Sequence, residues 1–492
     1  MTSSAQRRRQ LLAVRIAGQG AMLFTGFAIA QVCSFARNAT LGYVLSRGDF
    51  GIAAALTVTL QLVDTLSDLG ADRLLVQCED GADPGMLATA HTLLITRGMI
   101  TALLLYVAAG PTTAFFRLGD HLGLFQMLAL VPLIRGFLHL DQRRRQRQLD
   151  NSSYLATEVG SQMLALAVLP FLLWLSASPH VVVWTALVQA VAAVKLSHAL
   201  AKASWRADLN RERIKRFLAF GWPIWLSAFP LVIVYQADRF IVGRAYGMET
   251  LAAYSAAFMV TMVPGLVAAK VGHALMLPLL SERRGNTVAF SDRFALMLEA
   301  TVLLAGVYLA FFMLFGGTAL AIAFGPNYRG LDTVVAWLAV MWAVRMIQAP
   351  AGMALMAVGD TKPLLWAGLI RASALPLSVA AAMLGWGVQG IAMAGVAGEI
   401  ASLLYVSIAL RTITSPLAAI TLSRTLVLVP VAAASLALLK HSPPDRMTIA
   451  AALQCLGLLA VIVVAGLAIM PDLRRVIHRR LRRVMATPAS PV

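Results

Sequence analysis

The chain is short of charge. Only 13% of its 492 residues are Asp, Glu, Lys or Arg, against about 25% in a soluble domain. Cysteine is scarcer still. Cys33, Cys78 and Cys455 stand far apart with no CxxC, which argues against a disulfide framework and a cysteine metal centre. No GxxxxGK[ST] occurs, so no P-loop ATPase machinery is expected, and no HExxH occurs to hold a catalytic zinc. "GWGVQG" (385–390) fits GxGxxG, but it forms a tight turn between two apolar runs. A dinucleotide fingerprint needs that pattern between a strand and a helix.

What the chain has instead is apolar sequence. Hydrophobic residues make up 59% and the mean hydropathy is +0.76. Runs of about twenty residues recur, each long enough to cross a hydrocarbon core of about 30 Å as a helix. The fold class is therefore an all-α integral membrane protein. "MTSSAQRRRQLL" at the start looks like the head of a signal peptide, but Arg15 interrupts the apolar run behind it. Residues 12–40 read better as the first span. The others are expected near 50–77, 86–110, 118–140, 153–176, 180–200, 216–243, 249–280, 291–315, 331–357, 361–384, 388–410, 424–440 and 447–470. That makes about fourteen, which places both termini on one side.

Loop charge orients the spans. With the N-terminus inside, about 25 Lys and Arg fall in inner segments and about 6 in outer ones, a strong positive-inside pattern. Both termini are then cytoplasmic. The net charge of +18 belongs to those loops and calls for no nucleic acid. The longest outer loop, around 316–331, has no room for a catalytic domain, so the chain does not read as an enzyme.

Two stretches repeat at an offset of about 200 residues. "RNATLGYVLSRGDFGIAAAL" (37–56) and "DRFIVGRAYGMETLAAYSAAF" (238–258) both run from a polar pair through a Gly and a turn into the next helix. Parallel repeats of this kind mark transporters with the site between the halves. The expected organisation is an N-terminal six-helix lobe (1–200), a basic cytoplasmic linker (201–216), a C-terminal six-helix lobe (217–413), two additional helices (414–470) and a basic tail (471–492). The lobes would surround a central cavity.

Charges inside the spans point to that cavity. A charge at the centre of a span costs about 2.5–3.5 kcal/mol on an insertion scale. Ten facing lipid would cost roughly 25–35 kcal/mol, more than the roughly 5–15 kcal/mol of a typical net stability. They must therefore face water or one another. The candidate substrate-binding cations are Arg97, Arg239, Lys270, Arg345 and Arg371. The candidate ion-coupling or cavity acids are Asp64, Glu158, Asp238 and Glu399. Cations outnumber acids, which suits an anionic passenger, and the arginine fork matches phosphate oxygens. Asp64, Asp68 and Asp72 recur every fourth residue, but they drift around the helix and descend toward the interface. Asp72 is expected to need only water or Arg73. His91, His139, His198 and His273 sit near span ends and read as interfacial.

The run "ARNATLGYVLSRGDFGIAAALTVTLQLVDTLSDLGADRLLVQ" (36–77) resembles the first hairpin of the polysaccharide-export branch of the multidrug/oligosaccharidyl-lipid/polysaccharide exporter superfamily. That branch includes Wzx-type flippases for O-antigen and exopolysaccharide repeat units. "GWPIWLSAFPLVIVYQADRFIVGRAYGMETLAAYSAAF" (221–258) looks like its counterpart in the second lobe. "FGPNYRG" (324–330), "MAVGDTK" (356–362) and "GWGVQGIAMA" (385–394) resemble later loops, and Glu158 matches an acid often placed early in the fifth span. The resemblance implies translocation of an undecaprenyl-pyrophosphate-linked oligosaccharide across a bacterial inner membrane. It implies no cofactor beyond a coupling ion, proton or sodium. Expected partners are the lipid-linked oligosaccharide, membrane lipids, and a polysaccharide polymerase and glycosyltransferases. A monomer is expected. The alternatives are a lipid II flippase, a cation-coupled multidrug exporter, and more remotely a membrane polymerase or glycosyltransferase.

Overall fold

A computed structural model describes residues 2–413, 415–426, 428–441, 457, 460–464 and 470–475. These residues contain no strand. They fall into two compact units, Met1–Ala256 and Ala257–Val492.

The first unit holds α1 (Thr2–Val44), α2 (Arg47–Leu66), α3 (Ala71–Gln77), α4 (Pro84–Phe116), α5 (Leu122–Leu128), α6 (Leu130–Arg135), α7 (Asp141–Gln146), α8 (Ser152–Leu175), α9 (His180–Ala199), α10 (Arg211–Tyr246) and the start of α11 (Met248–Ser281). The second holds the rest of α11, then α12 (Thr287–Phe324), α13 (Asp332–Val358), α14 (Lys362–Ala372), α15 (Ala374–Met383), α16 (Gly387–Ala409), α17 (Ser415–Thr425) and α18 (Leu428–His441). Eleven helical segments among the described residues are long and apolar enough to cross a membrane, so the protein is a multi-pass membrane protein.

Those eleven coincide with eleven of the fourteen spans expected from sequence. The expected span 118–140 is instead broken into α5 and α6, with a short 3-10 turn before them. The expected span 424–440 is covered by the short apolar segment Ala419–Ala434 and α18. The expected span 447–470 lies mostly outside the described residues. Close packing accompanies the break. A Cβ on Gly98 of α4 would sit 2.7 Å from the Pro132 carbonyl oxygen and 2.9 Å from the Gly136 Cα. Small residues allow backbones to approach this closely in membrane bundles.

The expected span 50–77 is also interrupted. Gly70 adopts the left-handed conformation, φ +62°, which glycine enters without a Cβ clash. Its N–H donates to Asp68 Oδ1 at 3.0 Å. That local turn competes with the helix ladder and separates α2 from α3. Arg147 then donates to the Leu75 carbonyl at 3.1 Å and to the Cys78 carbonyl. A cation at a helix C-terminus satisfies carbonyls the helix leaves open.

The linker between α9 and α10 is fastened to its own unit by histidines. His91 Nδ1 meets the Arg206 carbonyl at 3.0 Å while its Nε2 accepts the Leu140 N–H at 3.1 Å. His139 Nε2 meets the Ala203 carbonyl at 3.0 Å and its Nδ1 accepts the Asp141 N–H at 3.1 Å. Each ring therefore donates once and accepts once, as a neutral imidazole does. His198 packs edge-on to His139, and Trp205 stacks on His91. Burial holds the His139 imidazole below its ordinary value, only partly offset by the Ala203 carbonyl, and His198 opposes its charge further. A histidine depressed in the fold stabilises above its unfolded pKa of about 6.5 and loses that contribution as pH falls below it. Trypsin cleavage in 201–216 is expected to accelerate as pH drops from 7.5 to 5.5, relative to cleavage at Arg283 and Arg284 in the same molecules. A constant ratio would refute the neutral clamp.

In the second unit, α12 packs extensively on α13, and α16 packs on α13, α14 and α15. Glu299 of α12 is fully buried. Its carboxylate pairs with Arg424 at 3.0 Å and accepts the N–H groups of Asp472 and Leu473, both at 3.0 Å. A buried acid of the bundle thus holds residues on either side of the expected last span.

Candidate functional site

The file of acids in "LVDTLSDLGADR" ends in a pocket. The α2–α3 turn displays Asp64, Asp68 and Asp72 on one wall of a cavity of about 530 Å³ in the first unit. Arg73, Arg97, Gln142 and Arg143 add polar groups, and Leu93, Leu94, Phe217 and Ile224 add apolar wall. Three acids and three arginines line it, so its formal charge balances.

Each acid meets an arginine. Asp64 lies 3.3 Å from Arg135 at the end of α6. Asp68 lies 2.9 Å from Arg73 and 3.5 Å from Arg97 of α4. Asp72 lies 2.8 Å from Arg143 of α7, whose guanidinium also stacks 4.5 Å above the Tyr154 ring. Arg97 has further partners. It donates to Ser67 Oγ at 3.1 Å and to the Asp64 carbonyl at 2.9 Å. It therefore bridges α4 to the last turn of α2.

These pairs are half open. In the Asp64, Asp68 and Asp72 pairs the side chains keep 23–55% of their accessible surface. Ion pairs so exposed contribute about 1 kcal/mol or less. An anionic guest can replace the carboxylate at an arginine here for little cost.

The second unit shows the opposite case. Arg345 and Arg371 converge on Glu399. Arg345 Nε donates to Glu399 Oε1 at 2.8 Å, and Arg371 Nε sits 2.8 Å from Oε2. Arg371 also donates to Gln348 Oε1 at 2.7 Å, Gln348 donates to Ser402 at 2.7 Å, and Ser402 donates to the Ala367 carbonyl at 3.0 Å. The Arg345 guanidinium lies 4.6 Å over Trp342. Exposure is 1% for Glu399, 11% for Arg345 and 20% for Arg371. Sequence depth alone selected all three residues, but their separations of 54 and 28 positions carry no pattern that reveals the pairing.

The remaining candidates lie elsewhere. Asp238 accepts the Tyr254 hydroxyl at 2.8 Å across α10 and α11. Arg239 is buried and donates to the Tyr235 carbonyl at 3.1 Å. Lys270 is an exposed residue of α11. Glu158 is half-buried on α8 near Tyr154. Asp72, Arg73 and Arg143 line the pocket without having been singled out as candidates. The i, i+4 file and "QRRRQRQ" (142–148) were visible signals, but only the fold shows that Arg143 reaches Asp72.

Residues 41–333 match the model of a family described as polysaccharide biosynthesis protein. The chain belongs to that family. The match covers most of the run 36–77 and all of 221–258, the two stretches that carry the expected resemblance. A relative, the teichuronic acid biosynthesis protein TuaB of Bacillus subtilis (strain 168), is 22% identical over 334 residues, 67% of this chain and 68% of the relative. Among solved structures, the lipid II flippase MurJ in an inward closed conformation matches with a TM-score of 0.66 at 15% identity, over 94% of this chain and 99% of that one. An inward-facing multidrug resistance MATE family transporter of the MOP superfamily matches with a TM-score of 0.62 at 14% identity, over 78% of this chain and 96% of that one. At these identities the likeness is one of fold, which this polysaccharide biosynthesis protein shares with both transporters.

Proposed function

We propose that this polysaccharide biosynthesis protein is a flippase, not an enzyme. Its passenger is an undecaprenyl-pyrophosphate-linked oligosaccharide repeat unit, moved from the cytoplasmic to the outer leaflet of the inner membrane for surface polysaccharide assembly. The observation that carries the reading is the pocket of exchangeable ion pairs beside an apolar wall. Arginine forks suit pyrophosphate oxygens, carboxylates suit sugar hydroxyls, and Phe217 and Ile224 suit the first isoprene units. The pocket lies beside α7 and its arginine-rich run, the end assigned to the cytoplasm by the positive-inside pattern.

Family membership and the transporter fold both support the reading. Alternating access driven by a proton or sodium gradient would supply the work. Deleting the gene in a strain without a paralogue is expected to trap lipid-linked repeat units on the cytoplasmic leaflet and to strip the surface polysaccharide. Normal surface polysaccharide in such a strain would sink the proposal.

A further inference from the structure

A second cavity in the first unit, of about 220 Å³, is enclosed by α1, α2, α5, α6, α8 and α9. Its ionisable lining is Arg37, Arg135 and Asp64. Asp64 is 3.3 Å from Arg135, so its charge is already matched. Among the described residues no carboxylate pairs with Arg37. Among the described residues its guanidinium donates to one side chain, the Gln189 amide oxygen, at 2.6 Å. The two arginines oppose one another electrostatically. The enclosure thus carries one excess positive charge within the apolar length of its helices, where an unmatched charge is costly.

The neutral lining is also suited to an anion. With its oxygen turned to Arg37, Gln189 has its NH₂ left to donate, and Asn38, Gln61 and Gln162 add three further amides to the lining. The hydroxyls of Thr57 and Thr185 already donate to their own helices, so the donors left for an anion are the guanidinium and amide groups. Arginine, with five N–H groups in a fixed fork, gives one such bond to Gln189. The volume falls below the roughly 300–1,000 Å³ of a whole-ligand pocket, so it takes a group and not an oligosaccharide.

We propose that this cavity is an anion-binding subsite that holds one carboxylate-sized anion between Arg37, Arg135, Gln162 and Gln189. Two sources offer that chemistry: the carboxylate of an acidic sugar in the passenger, or a free halide. The first source rests on the proposed flippase reading; the second does not.

The test is thermal unfolding of the purified full chain, titrated with sodium glucuronate, glucose or sodium chloride. Ionic strength is held constant with a bulky sulfonate salt. A saturable rise in the midpoint of about 2–4 °C is expected for at least one of the two anions and not for glucose. A response to glucuronate alone assigns the sugar carboxylate; an equal response to chloride assigns the free ion. Arg37→Gln is expected to raise the half-saturating concentration at least about 10-fold and Gln162→Leu about 3- to 10-fold. Lys195→Gln, exposed on α9, should leave it unchanged. If Arg37→Gln fails to fold, Arg37→Lys and Gln162→Leu carry the test. No saturable response, or one that survives in the cavity variants, overturns the subsite. Neither result touches translocation, which is read separately.

Discussion

Arg97→Ala is expected to cut delivery of lipid-linked repeat units to the outer leaflet by about 10- to 100-fold. The same change should cost the purified protein only about 1–3 kcal/mol, from one half-open ion pair and the hydrogen bonds to Ser67 and the Asp64 carbonyl. Arg97 and Asp68 each keep 29% of their side-chain surface at a separation of 3.5 Å, so little folding energy is stored between them. An incoming pyrophosphate would meet the same fork as a charge-assisted acceptor, worth about 1.5–3 kcal/mol per bond to a charged group. Arg97→Lys keeps the charge and loses the two-pronged geometry, so it should fall between the two. Export and unfolding measured on the same variants separate the effects. Loss of export in proportion to loss of stability would make Arg97 a structural residue.

Glu399→Ala is expected to act the other way. It leaves Arg345 and Arg371 facing each other with their shared carboxylate gone, at a cost of about 3–5 kcal/mol. Little folded protein should then accumulate in the membrane. Replacing the trio together with apolar residues of similar size removes the unmatched charges. Such replacements of buried ion groups range from neutral to stabilising by about 1–4 kcal/mol. The apolar trio should therefore restore accumulation and, because the trio does not line the pocket of the first unit, restore export with it. A folded trio variant that exports nothing would place Arg345 and Arg371 among the groups that handle the passenger.

The expected spans were legible wherever an apolar run was bounded by charge or glycine. They misled where a helix breaks inside an apolar run. α2 stops at Leu66, and Gly70 opens α3 in a left-handed turn held by Asp68; hydropathy does not register that event. The stretch around Ala129 and Gly136 breaks in the same silent way beside Gly98. The site divides similarly. Asp64 and Arg97 stood out because a charge inside a span is costly. Asp72, expected to need only water or Arg73, does accept the Arg73 N–H at 3.0 Å, and it also meets Arg143 at 2.8 Å, because the α7 segment packs on α3. Arg345, Arg371 and Glu399 were each visible as misplaced charges. Their mutual pairing is a tertiary fact that no spacing in the sequence displays. Arg37, visible as a charge but not advanced as a candidate, becomes informative only beside Gln189.

Flipping is measured with purified protein reconstituted into vesicles carrying a lipid-linked oligosaccharide in both leaflets. An impermeant glycosidase added outside consumes the outer pool, and the rate at which the protected inner pool becomes accessible is followed under an imposed proton or sodium gradient. The inner pool is expected to drain in vesicles with wild-type protein, about 10- to 100-fold more slowly with Arg97→Ala, and no faster than leakage in empty vesicles. Wild-type vesicles that drain at the empty-vesicle rate under either gradient would contradict the flippase proposal.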